Sequence, residues 1–155
     1  MVDNALLARV FEIAVEARER GDHPFGALLA VDGEVVAEAG NRVGSDRDIT
    51  AHAELTLVRD LERAGKLHLL AQGVFYASCE PCPMCVGAMF WAGAREVAFG
   101  LSHERLNQLA NHTDADPFGF TISAPEIGGR ANPPMIFDGP HSEDEAARVH
   151  EGFWH

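Results

Sequence analysis

Apolar residues recur at helical spacing near the start of the chain. Leu6, Leu7, Val10, Phe11 and Ala14 fall on one face, and Asp3 or Asn4 stands where a cap belongs. The pattern predicts a helix over 3–20, stopped by Gly21. The period then changes. Phe25 to Val31 and Glu34 to Ala39 are short apolar-rich runs separated by Asp32-Gly33, a pair suited to the positive φ angles of a tight turn, so a β-hairpin is expected. A polar loop, Gly40 to Ile49, leads to Thr50, the expected N-cap of a helix that carries Leu55, Val58 and Leu61 and stops near Gly65.

Val74 to Ala77 reads as a short apolar strand that ends in a Ser78–Pro83 loop. Cys82 stands at or near the next N-cap, because Pro83 suits the first helical position, where a missing N–H costs nothing. That helix runs through Val86, Met89, Phe90 and Trp91 to Gly93. Glu96 to Phe99 predicts another strand, and Glu104 to Ala110 a short helix. From Asn111 to Pro134 the pattern weakens, with Gly128-Gly129 and Pro133-Pro134 marking loop. Met135 to Phe137 is the expected last strand, and Ser142-x-x-Glu145 reads as a capping box opening a final helix toward Phe153-Trp154. The order predicts one α/β domain over 1–155, a mixed central sheet covered by helices on both faces in a three-layer α/β/α sandwich.

Charge narrows the partners. Twelve Lys and Arg against 24 Asp and Glu give a formal −12, and Lys66 is the single lysine. Affinity for a phosphate backbone comes largely from basic contacts, so a nucleic-acid substrate is not expected. Three cysteines provide no disulfide framework, and Met1 to Ala5 shows no basic-then-apolar leader; a cytoplasmic, reducing location is expected. No run of 18 apolar residues predicts a membrane span.

The chemistry lies in two motifs, Thr50-Ala51-His52-Ala53-Glu54 and Pro81-Cys82-Pro83-Met84-Cys85. One imidazole and two thiolates match three ligands for a catalytic Zn²⁺ with an open fourth position, and Glu54 is free to move protons. A C-x-x-C alone is also consistent with a redox pair or half of a structural zinc site, and Cys79-x-x-Cys82 repeats the spacing. His52-x-Glu54, with prolines on both sides of Cys82, favours catalysis; Cys79 is expected to be a small buried thiol. Both motifs open helices, whose N-terminal N–H groups favour negative ligands. On an ideal helix His52 and Glu54 would point about 200° apart, so they share a site only if the first turn is approached end-on.

At these residues the chain resembles the cytidine-deaminase-like zinc deaminase superfamily, in its nucleobase branch, and most of all bacterial guanine deaminases. Pro24-Phe25-Gly26-Ala27, Asn41, the two motifs, the run from Ser78 to Ala88 and Trp91-Ala92 carry the likeness. It extends over about two thirds of the chain and weakens after Gly100. The resemblance implies a cytidine-deaminase-like fold and hydrolytic deamination with release of ammonia. Zinc would be held by His52, Cys82 and Cys85, with Glu54 as the catalytic proton carrier. It assigns Asn41, the Ala53 N–H and Phe25 to the base, and implies a homodimer. It also implies that residues 140–155 close the site, with Phe153 and Trp154 as stacking rings; Trp91 is a further pocket wall, and Asp114 and Asp116 offer carboxylates to a purine.

The expected substrate is a free nucleobase or similar small heterocycle. Guanine comes first, and cytosine, a modified pyrimidine or a triazine-like base next. A tRNA adenosine deaminase, a nucleoside or nucleotide deaminase and a zinc-stabilised structural module are the alternatives.

Overall fold

The computed structural model describes residues 2–154, so His155, the end of the expected closing tail, lies outside the described residues. The first helix, α1 (Asn4–Glu19), begins where Asp3 accepts from the N–H groups of Ala5 and Leu6 at 2.8 and 3.3 Å, and Gly21 follows it at positive φ. Strands β1 (Gly26–Val31) and β2 (Glu34–Gly40) form the expected hairpin, with Asp32 and Gly33 at φ of 51° and 80° in its turn. Then come a short helix α2 (Val43–Asp46), α3 (Ala53–Arg63) and a 3-10 turn (Leu67–Ala71). Strand β3 (Val74–Cys79), α4 (Pro83–Ala92) and β4 (Glu96–Leu101) form a parallel β-α-β unit. The remainder is α5 (His103–Leu109), α6 (Ala124–Gly129), β5 (Ile136–Asp138) and α7 (Glu143–Arg148).

The sheet order is β2-β1-β3-β4-β5, antiparallel across β2-β1-β3 and parallel across β3-β4-β5. Alternate side chains leave opposite faces of a strand, so the central strands feed two cores. Ala27, Leu29, Phe75 and Val97 pack with Leu57 and Leu61 of α3, Val86 and Met89 of α4 and Ala124 of α6. Leu28, Ala30, Tyr76 and Ala98 pack with Leu7, Val10 and Phe11 of α1 and Ala146 and Ala147 of α7. The fold is thus the expected three-layer sandwich on a mixed sheet. Helix α1 lies so close to β1 that a side chain at Gly26 would sit 2.6 Å from the Val10 carbonyl oxygen. No helix among the described residues is long and apolar enough to cross a membrane.

The departures are local. Thr50 does not cap α3; its hydroxyl donates to Asp48 at 2.6 Å, and His52 is the N-cap. The expected loop before it contains α2. Residues 124–129, read as loop from Gly128-Gly129, form α6, capped by the Ser123 hydroxyl accepting from the Glu126 N–H. Ser142 precedes α7 but sits at φ 50° without capping it, and Glu143 accepts from both the N–H and the hydroxyl of Ser102 instead.

Candidate active site

Helices α3 and α4 point their N-terminal ends at one cavity of about 520 Å³ beside the carboxyl end of β3. His52 and Cys82 are the two N-cap residues, both extended in backbone, and Cys85 follows in the first turn of α4. The His52 Nδ1 atom lies 3.5 Å from Cys82 Sγ and 3.6 Å from Cys85 Sγ. These are the spacings a tetrahedral zinc requires: bonds of about 2.3 Å to sulfur and about 2.0–2.1 Å to nitrogen place N and S about 3.6 Å apart. The three ligand atoms lie within 4.8 Å of one another, and this is the one such trio found among the described residues. The donors therefore fit the metal.

Because His52 lies just outside the helix, its ring and the Glu54 side chain both reach the cavity; the 200° separation applies only to residues within the helix. Glu54 is buried, and that burial pushes its carboxyl up to about 7. The Cys85 thiol, hydrogen-bonded to Cys82, holds the Cys82 thiol down to about 4, with His52 acting in the same sense; Cys85 is itself pushed up. Cys79 is the small buried thiol expected, raised by burial, and none of the three cysteines is in a disulfide.

Asn41 is buried at the cavity wall. Its Oδ1 accepts from the N–H groups of Val43 at 3.0 Å and His23 at 3.4 Å, which leaves the amide nitrogen for a ligand. Asp22 holds this loop. Fully buried, it accepts from the Ser45 N–H and hydroxyl and from Arg20, and these bonds hold its carboxyl down to about 2 against the opposing effect of burial. Phe25 lines the cavity. Ala53 is fully buried as the first residue of α3, where a backbone N–H has no intrahelical acceptor.

The tail divides. Trp154 reaches the cavity, its indole N–H donating to His150 Nδ1 at 3.0 Å and its ring parallel to that imidazole. Phe153 does not line the cavity; it packs edge-on against Trp154 and under the Arg18 guanidinium. Three expected residues lie elsewhere. Trp91 is 85% exposed on α4, because Met89, two positions earlier and about 200° around the helix, occupies the core side. Asp114 and Asp116 are exposed on a turn closed by the Thr113–Asp116 bridge, and neither lines the main cavity; Asp114 borders a smaller adjoining cleft. The wall they were expected to form is built by α5 and its following loop, through His103, Asn107, His112 and Phe118. His103 and Asn107 lie on or next to a stretch read only as a short helix, and nothing in the weak pattern of 111–134 marked Phe118.

An α/β/α sandwich bringing His, two Cys and a buried Glu together at one end of its sheet has the architecture of a zinc deaminase. The chain belongs to the cytidine and deoxycytidylate deaminase zinc-binding family, whose model matches residues 1–101. It is 39% identical over 160 residues to a probable cytosine deaminase of Schizosaccharomyces pombe, covering 98% of this chain and 92% of that one. It is 38% identical over 124 residues to the guanine deaminase of Bacillus subtilis, covering 79% and 74%. A solved chain from a study of A-to-I editing by tRNA deaminases at the wobble position superposes with a TM-score of 0.73 at 28% identity, covering 95% of this chain and 99% of that one.

Proposed function

We propose that the protein is a zinc-dependent aminohydrolase of a free nucleobase. The observation that carries this reading is the cavity itself. It joins His52, Cys82 and Glu54 to Phe25, Asn41 and Trp154, with buried Cys85 completing the trio behind its wall, and its size is that of a small-molecule site. Zinc, when bound, supplies Lewis acidity that makes water a nucleophile near neutral pH. Glu54 would take one proton from the attacking water and pass it to the ring nitrogen, then take the second from the added hydroxyl and deliver it to the departing amine, so water enters and ammonia leaves. Asn41 donates its amide and Ala53 its N–H to the polar edge of the base, while Phe25 and Trp154 enclose the ring.

Both cytosine and guanine deaminases are among the relatives. The match to the probable cytosine deaminase spans almost the whole chain and so includes the α5 wall and the tail, and on that support we take cytosine ahead of guanine as the first base to test. A tRNA substrate is disfavoured by the −12 charge and by the engagement of Arg9, Arg20, Arg42, Arg59 and Arg105 in ion pairs with carboxylates. We further infer a cytoplasmic homodimer. The free cysteines suit a reducing compartment, and α4 turns an apolar stripe, Met84 and Trp91 two turns apart, to its surface.

The test is ammonia release by the zinc-loaded protein from cytosine, guanine, adenine, their nucleosides and a tRNA. Turnover of a free base is the expected result. Activity on tRNA with none on any base would overturn the reading.

A further inference from the structure

The wall built by α5 contains a hydrogen-bond chain that sets the tautomer of a histidine. Asn107 is a buried polar residue of α5. The backbone N–H of Phe118 reaches its side chain at 3.1 Å, and a backbone N–H only donates, so the atom facing it is Oδ1. The orientation of the Asn107 amide follows without ambiguity. Its Nδ2 then faces His103 Nε2 at 3.0 Å, with a longer contact to the His103 carbonyl oxygen at 3.3 Å. An amide nitrogen also only donates, so His103 Nε2 must be the bare, accepting nitrogen. The ring proton is left on Nδ1. His103 lines the cavity, and its Nδ1 has no hydrogen-bond partner among the described residues.

We infer that His103, held by Asn107 with its proton on Nδ1, is a specificity-determining residue that donates this N–H to a carbonyl oxygen of the base. The inference rests on the base-deaminase reading. A carbonyl oxygen has two lone pairs, so it can accept from His103 beside another donor. Asn107 is the positioning residue: it fixes the ring nitrogen that donates and, through Phe118, ties the following loop to α5. A base without a carbonyl leaves the His103 N–H unpaired in the site, which a polar pocket discriminates against strongly.

Two measurements test this. Long-range proton–nitrogen correlation spectra of the labelled, zinc-loaded protein, with the His103 signals assigned by their loss in His103→Asn, report the tautomer directly. Protonated Nδ1 and bare Nε2 are expected at mildly alkaline pH, and the opposite pattern overturns the inference. The second compares calorimetric binding of cytosine with 4-aminopyrimidine, and of guanine with 2-aminopurine, each analogue lacking the carbonyl. His103→Leu is expected to reduce the wild-type preference for the carbonyl-bearing base about tenfold, the size of one lost buried hydrogen bond. His103→Asn, whose amide nitrogen occupies the Nδ1 position, is expected to recover most of it. An unchanged preference in His103→Leu with wild-type turnover intact sinks the role of His103 alone. Failure of the wild type to bind or deaminate any base sinks the base reading and the inference together.

Discussion

In the proposed reaction turnover depends on Glu54, and its surroundings separate catalysis from stability. It is a buried carboxyl beside the three ligand atoms but is not one of them. Glu54→Gln keeps the shape and removes the proton carrier. Turnover is expected to fall by about 10²–10⁴-fold or more, the usual contribution of a positioned acid–base group. Zinc content by elemental analysis and the melting temperature should hold, because a neutral amide is easier to bury than an ionisable carboxyl. Retained activity in this variant would assign the proton transfer to another group. His52, Cys82, Cys85 and Glu54 were legible because their types and spacings are those that a metal ion and a proton carrier demand. Asp22 and Asn107 were not: their partners Ser45 and Phe118 lie 23 and 11 residues away, and no local period records such a pairing. His103 pairs with Asn107 one turn along the same helix, a spacing that by itself marks no site.

At the scale of elements, the tail carries a buried histidine whose titration bears on stability. Neutral His150 is buried against Phe25 and accepts from the Trp154 indole on Nδ1. Burial first, and the Arg18 charge second, hold its ring down to about 4, with His23 alongside lowered as well. Between about pH 6.5, the ordinary value, and about 4 the unfolded chain binds the proton that the native protein refuses, so stability falls as pH drops through this window. The loss is on the order of 3 kcal/mol when complete. Chemical denaturation of the wild type against His150→Gln from pH 8 to pH 4 should show the steeper slope in the wild type, with a shallower remainder from His23 in the variant; parallel curves would remove His150 from the account. Asp22 adds its own loss only below about pH 4, as its carboxyl protonates toward 2, so the two effects separate. The helix α6 was missed although Ser123-x-x-Glu126 has the spacing of a cap, because Gly128-Gly129 argued for loop. The Ser142 cap was read and is absent, because Glu143 is taken up by Ser102 across the fold. Caps read from a string are proposals to the chain, and a tertiary partner can overrule them.

For the molecule as a whole, pairing through α4 is the open structural expectation. Trp91, exposed at the end of a helix with no charged residue, would meet a second copy of the same face. Trp91→Glu should convert a sedimenting dimer to monomer while leaving the circular dichroism of the fold unchanged. A wild type that sediments as a monomer, or a variant that stays dimeric, would place any interface elsewhere.

Taken alone, the sequence determined the grouping of His52, Cys82, Cys85 and Glu54, the hairpin, the main helices and the layered α/β class. These follow from local period, turn chemistry and the fixed demands of a metal, all written within short stretches of chain. Only the tertiary structure decided which aromatic closes the cavity, that Trp154 enters while Trp91 faces outward, and that α5 rather than Asp114 or Asp116 builds the far wall. Those outcomes depend on which face of each element the two cores leave free, and that is settled by packing between segments distant in sequence.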